Sequence, residues 1–478
     1  MYLGLDLGTS GLKGLLIDDR QAVIAEATAP LSVSRPHDGW SEQTPADWIA
    51  AAEAVLDALA AETALGAVRG IGLSGQMHGA TLLDASDEVL RPCILWNDTR
   101  SHVEAAAMDA DPAWRRISGN VVFPGFTAPK LAWVKAHEPA VFARVARVLL
   151  PKDYLRLWLT GSHVAEMSDA AGTGWLDTGA RDWSDDLLAR SGLSRDAMPR
   201  LVEGSDVSGT IRPELARRWG LPVTAVVAGG GGDNAASAIG MGVVKAGQAF
   251  VSLGTSGVLF AANDGYRPAP ETAVHTFCHA LPGTWHQMGV ILAATDALNW
   301  FAGIAGQDAA HLTADLGVLR GPGRTLFLPY LGGERTPLNS AAIRGAFLGL
   351  EHATDRAAAT RAVLEGVAFA LADCRDALAA TGTRIDSLVA VGGGSRSDYW
   401  LSVIATVLGT PLSIPEAGDF GAAFGAARLG MMAATGDTAL ATPPRITRTV
   451  DPDPTLSAAF EAGHARYRAA AKAILELS

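Results

Sequence analysis

The sequence predicts an α/β fold built as two look-alike halves that face each other across a cleft. Three observations point there. At 478 residues the chain exceeds what one hydrophobic core holds. Leu7-Gly8-Thr9-Ser10-Gly11 recurs letter for letter as Leu253-Gly254-Thr255-Ser256-Gly257, near the start of each half. Strand-like apolar runs end again and again in glycine-rich loops, at Gly75, Gly229 and Gly392.

Each copy of the repeat lies between two apolar runs, Met1 to Leu5 and Leu12 to Ile17 in the first, Ala249 to Val251 and Val258 to Ala262 in the second. That spacing predicts strand, tight glycine turn, strand. Hydroxyls and amides converging at such a turn form an anion cradle. Asp6 precedes the first copy and Ser252 the second. A phosphate cradle with one carboxylate at its mouth calls for a cation between them, which places Mg²⁺ near Asp6. Val23 to Thr28 continues the sheet. Thr44-Pro45-Ala46-Asp47 reads as a helix start with Thr44 as N-cap in a capping box, followed by apolar residues at helical spacing from Trp48 to Leu59.

Gly70 to Ser74 reads as a buried strand, and Gly75-Gln76-Met77-His78-Gly79 is the loop that leaves it. Loops at the carboxyl ends of strands are where open α/β sheets bind ligands. His78 there is a substrate contact or a histidine bonded to nearby backbone. Ile94-Leu95-Trp96 followed by Asn97-Asp98-Thr99-Arg100 repeats the layout, with Trp96 at a polyhydroxylated ligand or in the core. Thr127 to Trp133 and the residues after Pro151 open further helices. Ser168 to Thr173 is a polar turn placed to face the same cleft, and Arg181 to Trp219 is scaffold. Val223 to Ala228 is a buried strand running into four glycines and then Asp233 and Asn234. A helix cap explains an acid there. A base that accepts a hydroxyl proton as the oxygen attacks phosphorus explains both the acid and the bare backbone before it.

In the second half, a helix is expected from Thr295, with Asn299 on it, and a mobile flap at Leu331 to Pro337. Arg361 to Leu378 has the spacing of an amphipathic helix in which Glu365 is either buried or turned to the cleft. Ser387 to Val391 is a strand ending in Gly392-Gly393-Gly394-Ser395-Arg396-Ser397-Asp398, which lacks the Lys-Ser/Thr of a P-loop and the acid of a dinucleotide fold. Beside two phosphate hairpins it suits an adenosine wall. Asp419 to Ala427 is a small-residue helix suited to a hinge, and the tail ends in a helix from Phe460 to Leu477.

Composition narrows the function. A net charge of −12 argues against nucleic acid or an anionic membrane surface as partner. No apolar run reaches membrane-spanning length. The three cysteines, Cys93, Cys278 and Cys374, share no metal-type spacing and suit a reducing cytoplasm. The chain starts in a strand pattern without a leader.

Together the motifs resemble the FGGY family of carbohydrate kinases, on the duplicated actin-like (ribonuclease H-like) ATPase fold. The resemblance runs from Met1 to about Met432. It is carried by Asp6 to Gly11, Trp40-Ser41-Glu42-Gln43, Gly75 to Gly79, Trp96-Asn97-Asp98, Pro124-Gly125-Phe126-Thr127-Ala128-Pro129-Lys130, Gly231 to Ala236 and Gly392 to Ser397. The Gln-Met-His-Gly and Trp-Asn-Asp pieces point to D-xylulose as substrate, phosphorylated by ATP with Mg²⁺. The resemblance implies Asp233 as general base and Asp6 as the magnesium residue. Gln76, Met77, His78, Trp96, Asp98 and Asn234 are then expected around the sugar. Thr9, Ser10, Lys13 and Thr255 are expected at the phosphates, and Asn299, Gly393, Gly394 and Asp398 at the adenosine. Two positions depart from the pattern: one extra glycine precedes Asp233, and Asp398 stands where relatives of this fold can carry an amide. The expected division is 1–243 for the sugar side, 244–440 for the ATP side and 441–478 for a helical tail packed on the second domain; the oligomeric state, a homodimer included, stays open. The rival readings are another ketopentose or polyol kinase on this scaffold, a non-catalytic ATP switch, and, more remotely, a dehydrogenase.

Overall fold

The computed structural model describes residues 1–314, 316–416 and 421–477. Two seven-stranded sheets form its frame. The first holds β1 (Tyr2–Leu7), β2 (Gly11–Ile17), β3 (Val23–Pro30), β4 (Gly70–Gly75), β5 (Val207–Thr210) and β6 (Val226–Ala228), in the order β5-β6-β4-β1-β2-β3, with the pair Gly231–Gly232 added beside β4. The second holds β7 (Gly247–Leu253), β8 (Gly257–Asn263), β9 (His275–Cys278), β10 (Trp285–Ile291), β11 (Ile385–Val391), β12 (Leu412–Pro415) and β13 (Ile446–Val450), in the order β9-β10-β8-β7-β11-β12-β13. In both, an antiparallel meander, three strands long in the first sheet and four in the second, is extended by two parallel strands and closed by an antiparallel edge. This is the duplicated actin-like fold that the repeated pentapeptide announces. The halves also differ at the antiparallel edge strand. β5 precedes its neighbour in sequence, whereas β13 follows its own.

Register makes the duplication specific. Asp6 pairs with Lys13 across β2 and with Ser74 across β4. Ser252 occupies the same place in β7, opposite Val258 and Val391. The loop after Ser74 and the loop after Val391 are therefore structural counterparts. The first is Gln76-Met77-His78, the second Gly393-Gly394-Ser395.

The helices that matter for the site are α1 (Pro45–Glu62), α2 (Asp233–Met241), α3 (Thr295–Ala305), α4 (Arg356–Ala380), α5 (Asp398–Leu408), α6 (Ala422–Thr435) and α7 (Ser457–Leu475). α1 starts at Pro45 as its sequence dictates, but Thr44 makes no side-chain cap. α6 lies outside its own half. It packs on the first sheet so closely that a methyl group on Gly72 would sit 1.7 Å from the Ala426 carbonyl oxygen, and one on Gly4 2.0 Å from that of Ala423. It also crosses α2, where a methyl on Gly425 would meet the Ala236 oxygen at 1.7 Å. Small residues bring two helix backbones and a sheet into contact here, a junction between the halves. The expected start of this helix at Asp419 and Phe420 lies outside the described residues. α7 buries Phe460 and Tyr467, and their rings meet Phe369 of α4. One apolar cluster runs unbroken from Met77 and Phe126 to Phe250, Phe260 and Phe277 of the second sheet, so the two halves share core.

The expected flap at Leu331 to Pro337 is instead pinned. Glu334 Oε1 accepts from the amides of Leu292 and Arg335, and Thr336 bonds the backbone of Val290 and Ala273. Glu365 is buried on α4, and burial pushes its carboxyl up to about 8. Among the described residues, no helix is long and apolar enough to cross a membrane.

Candidate active site

Two loops and one helix start meet at the carboxyl ends of β1, β4 and β6. The loop after β4 carries Met77 and His78; the loop after β6 carries Asp233. They touch: a methyl on Gly232 would lie 3.0 Å from Met77 Cγ and Sδ. The four glycines before Asp233 thus answer largely to packing. Gly230 has φ +80 and its α-carbon faces the Leu73 carbonyl, where a methyl would sit at 2.2 Å; on Gly229 it would sit 2.1 Å from the Glu203 oxygen. The sequence alone leaves substrate access as the reason for these glycines; the neighbours add close approach of backbone to backbone.

Asp233 is the first residue of α2 and half-buried. Its Oδ1 accepts from the Asn234 amide at 2.7 Å and from Asn234 Nδ2 at 2.9 Å. Burial raises its carboxyl above the ordinary value, only partly offset by these bonds. Asn234 is thereby the partner of Asp233.

His78 is held on every side. Its backbone is left-handed at φ +69, and its carbonyl accepts from Lys130 Nζ at 2.9 Å and Thr127 Oγ1 at 3.1 Å. Its ring stacks on Phe126 with centroids 4.9 Å apart, and Nδ1 lies 2.6 Å from the Gly172 oxygen. Burial, then the neighbouring Lys130 charge, lowers its pKa to about 3, so the ring is neutral at working pH. A neutral ring with a carbonyl at Nδ1 carries its proton there and leaves Nε2 as an acceptor.

Asp6, Lys13 and Ser74 form a row across β2, β1 and β4 beside the first hairpin, and Lys13 Nζ also lies 3.0 Å from Glu26. Ser10 and, in the second hairpin, Thr255 and Ser256 are exposed at the loop tips. The second hairpin's carbonyls receive the start of α3: Gly254 O accepts from the Thr295 amide and hydroxyl, and Thr255 O from the Ala294 and Asp296 amides.

Three of the expected contacts already have hydrogen-bond partners within the protein. Thr9 Oγ1 donates to Gln76 Oε1 at 2.9 Å and accepts from Trp96 Nε1 at 3.0 Å, so its hydroxyl is already committed. Gln76 is buried and donates on to Gln43, which bonds the Thr9 carbonyl and accepts from Trp48. Asp98 is 1% exposed and spends both oxygens on Arg100 and the Ser41 amide. Trp96 is 47% exposed, with its indole N–H turned to Thr9. The Trp40 to Gln43 motif is the buttress behind these residues, a task its sequence alone does not indicate.

In the second half a cavity of about 890 Å³ is lined by Asn299, Gly393, Gly394, Asp398 and the α3 face that carries Leu298. Gly393 has open space around its α-carbon, whereas Gly394 is packed against Leu253 and Trp400. Asp398 is exposed and ion-paired with Arg448.

Below the Asp233 loop lies a group that sequence reasoning missed. Lys152, Asp153, Arg156, Glu166 and Asp169 are fully buried. Lys152 Nζ bonds Asp153 at 2.8 Å and Asp169 at 3.1 Å, and lies 3.4 Å from Glu166. Two cations face three acids, and burial raises the Asp169 carboxyl well above its ordinary value, opposed by the Lys152 charge. Arg156 donates to the carbonyls of Ala228 and Gly229. Only the Ser168 to Thr173 turn gave any hint of this layer in the sequence.

The model of the FGGY family of carbohydrate kinases matches here in both parts, its N-terminal domain over residues 1–240 and its C-terminal domain over 249–434. The chain belongs to the FGGY family of carbohydrate kinases. It is 52% identical over 440 residues to the xylulose kinase of Klebsiella pneumoniae, covering 91% of this chain and 90% of that one. The crystal structure of a “xyloylose kinase” from Brucella ovis matches all of both chains at 62% identity and a TM-score of 0.98. That of xylulose kinase from Rhodospirillum rubrum matches at 31% identity and a TM-score of 0.93, over 100% of this chain and 99% of that one. As a member of this family the chain is a sugar kinase, and the family implies ATP as the phosphoryl donor.

Proposed function

We propose that this FGGY kinase phosphorylates D-xylulose to D-xylulose 5-phosphate. The observation that carries the reading is the meeting of Met77, His78 and the Asp233 loop at the end of the first sheet, together with the cavity beside Gly393 in the second half. The high identity to proteins named xylulose kinases supports the choice of sugar. In this reading residues 1–243 bind the sugar, 244–440 bind ATP, and 441–478 brace the second domain, with α6 reaching back to the first sheet.

The sugar's terminal hydroxyl donates its proton to Asp233 as its oxygen attacks the γ-phosphorus and the bond to the ADP oxygen breaks. Asp233 Oδ1 is occupied by Asn234, which leaves Oδ2 to accept. A carboxyl raised by burial is a stronger base than one in water. His78 Nε2 accepts a second sugar hydroxyl, and Met77 supplies the apolar edge of the pocket. Ser10 and Thr255 offer loop-tip groups to the phosphates, and Lys13 adds charge from the β2 row; Thr9 contributes its backbone. Asn299, Gly393 and Asp398 flank the adenosine.

The donor set fits Mg²⁺ in the form kinases use, one carboxylate plus substrate phosphates: Asp6 sits beside the hairpin, and no cluster of three or more acidic, His or Cys ligands occurs among the described residues. When bound, the ion neutralises phosphate charge. Asp6 would hold it, through water.

The test is a coupled ADP-release assay across pentuloses, hexuloses and glycerol. D-xylulose is the expected best substrate, and Asp233→Ala is expected to keep nucleotide binding while losing about 10²–10⁴-fold in turnover. A variant with full activity removes the base assignment; a preference for glycerol or a hexulose removes the substrate assignment.

A further inference from the structure

The short segment from Glu166 to Gly172 touches both halves of the proposed sugar site and none of the chemistry. At one end, Ser168 Oγ accepts the amide of Gly232, the residue before Asp233, at 3.0 Å. At the other, the Gly172 carbonyl meets His78 Nδ1 at 2.6 Å. Ser168 and Gly172 are both buried.

We propose that this segment is a positioning bracket that sets the separation of His78 and Asp233, with Ser168 aligning the base and Gly172 seating the sugar-binding ring. The assignment rests on the roles given to Asp233 and His78 above.

The bracket is rigid for identifiable reasons. Glu166 caps it, accepting from the Ser168 amide at 2.7 Å, the Asp169 amide at 2.8 Å and the Ser168 hydroxyl at 3.0 Å. The hydroxyl is therefore donated to Glu166, and its lone pair points to Gly232. Lys152 ties Glu166 and Asp169 to the body of the first domain, and Arg156 grips the same catalytic loop from the Ala228 and Gly229 carbonyls. A glycine-rich loop cannot fix its own geometry, so its placement comes from these outside donors and acceptors.

Gly172 gives the second independent observation. Its φ of −77 suits any residue, so nothing in its backbone asks for glycine. A methyl group there would lie 2.6 Å from His78 Cε1, 2.7 Å from Nδ1 and 2.9 Å from Met77 Cε. The three atoms nearest to such a methyl all belong to the two residues proposed to hold the sugar.

The two ends should separate in steady-state kinetics of the full chain with ATP and D-xylulose, run well below the melting temperature. Ser168→Ala leaves the Gly232 amide without its acceptor and is expected to lower kcat about tenfold with KM for D-xylulose within about threefold of wild type. Gly172→Ala displaces the His78 ring and is expected to raise KM for D-xylulose about tenfold with kcat within about threefold. KM for ATP should stay unchanged in both. Variants that melt lower yet keep both constants would reduce the segment to scaffold and overturn the bracket. If Ser168→Ala does not fold, Gly172→Ala decides alone, since its backbone accepts alanine. A wild type that does not phosphorylate D-xylulose fails the functional reading instead, before either variant is compared.

Discussion

Replacing Gln43 by leucine tests whether the wall behind the first hairpin is as tightly bonded as its geometry implies. Gln43 Oε1 accepts from Trp48 Nε1 at 3.0 Å and Gln76 Nε2 at 2.8 Å, while Nε2 donates to the Thr9 oxygen at 2.7 Å and the Ser32 oxygen at 3.3 Å. Trp48, Gln43 and Gln76 are all buried, so water cannot replace the lost partner. Leucine nearly conserves the volume and removes every one of these bonds. Two buried N–H donors left unsatisfied, at about 1–3 kcal/mol each, give a loss of roughly 2–6 kcal/mol. The damage is local to the hairpin, because Gln76 also receives the Thr9 hydroxyl. A Gln76 side chain without its second partner releases Thr9, so KM for ATP should rise about tenfold while KM for the sugar moves less. Urea unfolding followed by tryptophan fluorescence reads the stability term, and the ADP-release assay reads the rest. A Gln43→Leu protein within about 1 kcal/mol of wild type would refute the reasoning, since it would mean that the chain of bonds from Trp48 to Trp96 is not cooperative.

Gly72→Ala should destabilise strongly, because the new methyl would sit 1.7 Å from a backbone oxygen of α6 that has no rotamer to change; a loss above ~3 kcal/mol in urea unfolding is expected, and a wild-type melt would show that α6 is not seated on the sheet. Asp6→Ala should raise the Mg²⁺ concentration needed for half-maximal turnover, and an unchanged metal titration counts against its role. Glu365 is held protonated by burial, with its carboxyl raised to about 8 and Oε1 without a hydrogen-bond partner among the described residues. Its folded-state value lies above the unfolded one, so its stability contribution is present below about pH 4.5 and is lost as pH rises toward 8. Glu365→Gln should therefore melt above wild type at pH 8.5 and level with it at pH 4.5; parallel curves would refute the assignment.

Much of this molecule is legible in its residues because local chemistry decides it. The repeated pentapeptide gives two hairpins at equivalent places in the two sheets, their cross-strand pairing offset by one residue: Leu7 faces Leu12, and Leu253 faces Gly257. The Val223 to Ala228 run and its glycines place Asp233 at the start of a helix. Other features depend on partners far away in the chain. Thr9, Gln76 and Asp98 have the composition of binding residues, yet their polar atoms are consumed by Trp96, Gln43 and Arg100. The flap expected from turn formers at Leu331 to Pro337 is fixed by backbone groups of Val290 and Leu292. Ser168 and Gly172 looked like one more polar turn until their neighbours were in place.

The sequence by itself determined the duplicated α/β frame, the kinase family and the position of the acidic residue proposed as base, because periodicity, turn chemistry and repetition are written within a few residues of one another. Only the tertiary structure decided which polar groups remain free to meet a ligand, why four glycines stand before Asp233, and which helix crosses between the halves. The physical reason is the same in each case. Whether a hydroxyl, amide or α-carbon is available depends on which distant atoms already occupy its bonds or its space. The Thr9 hydroxyl is taken by a residue 67 positions away, and the face of Gly72 by a helix from the other end of the chain.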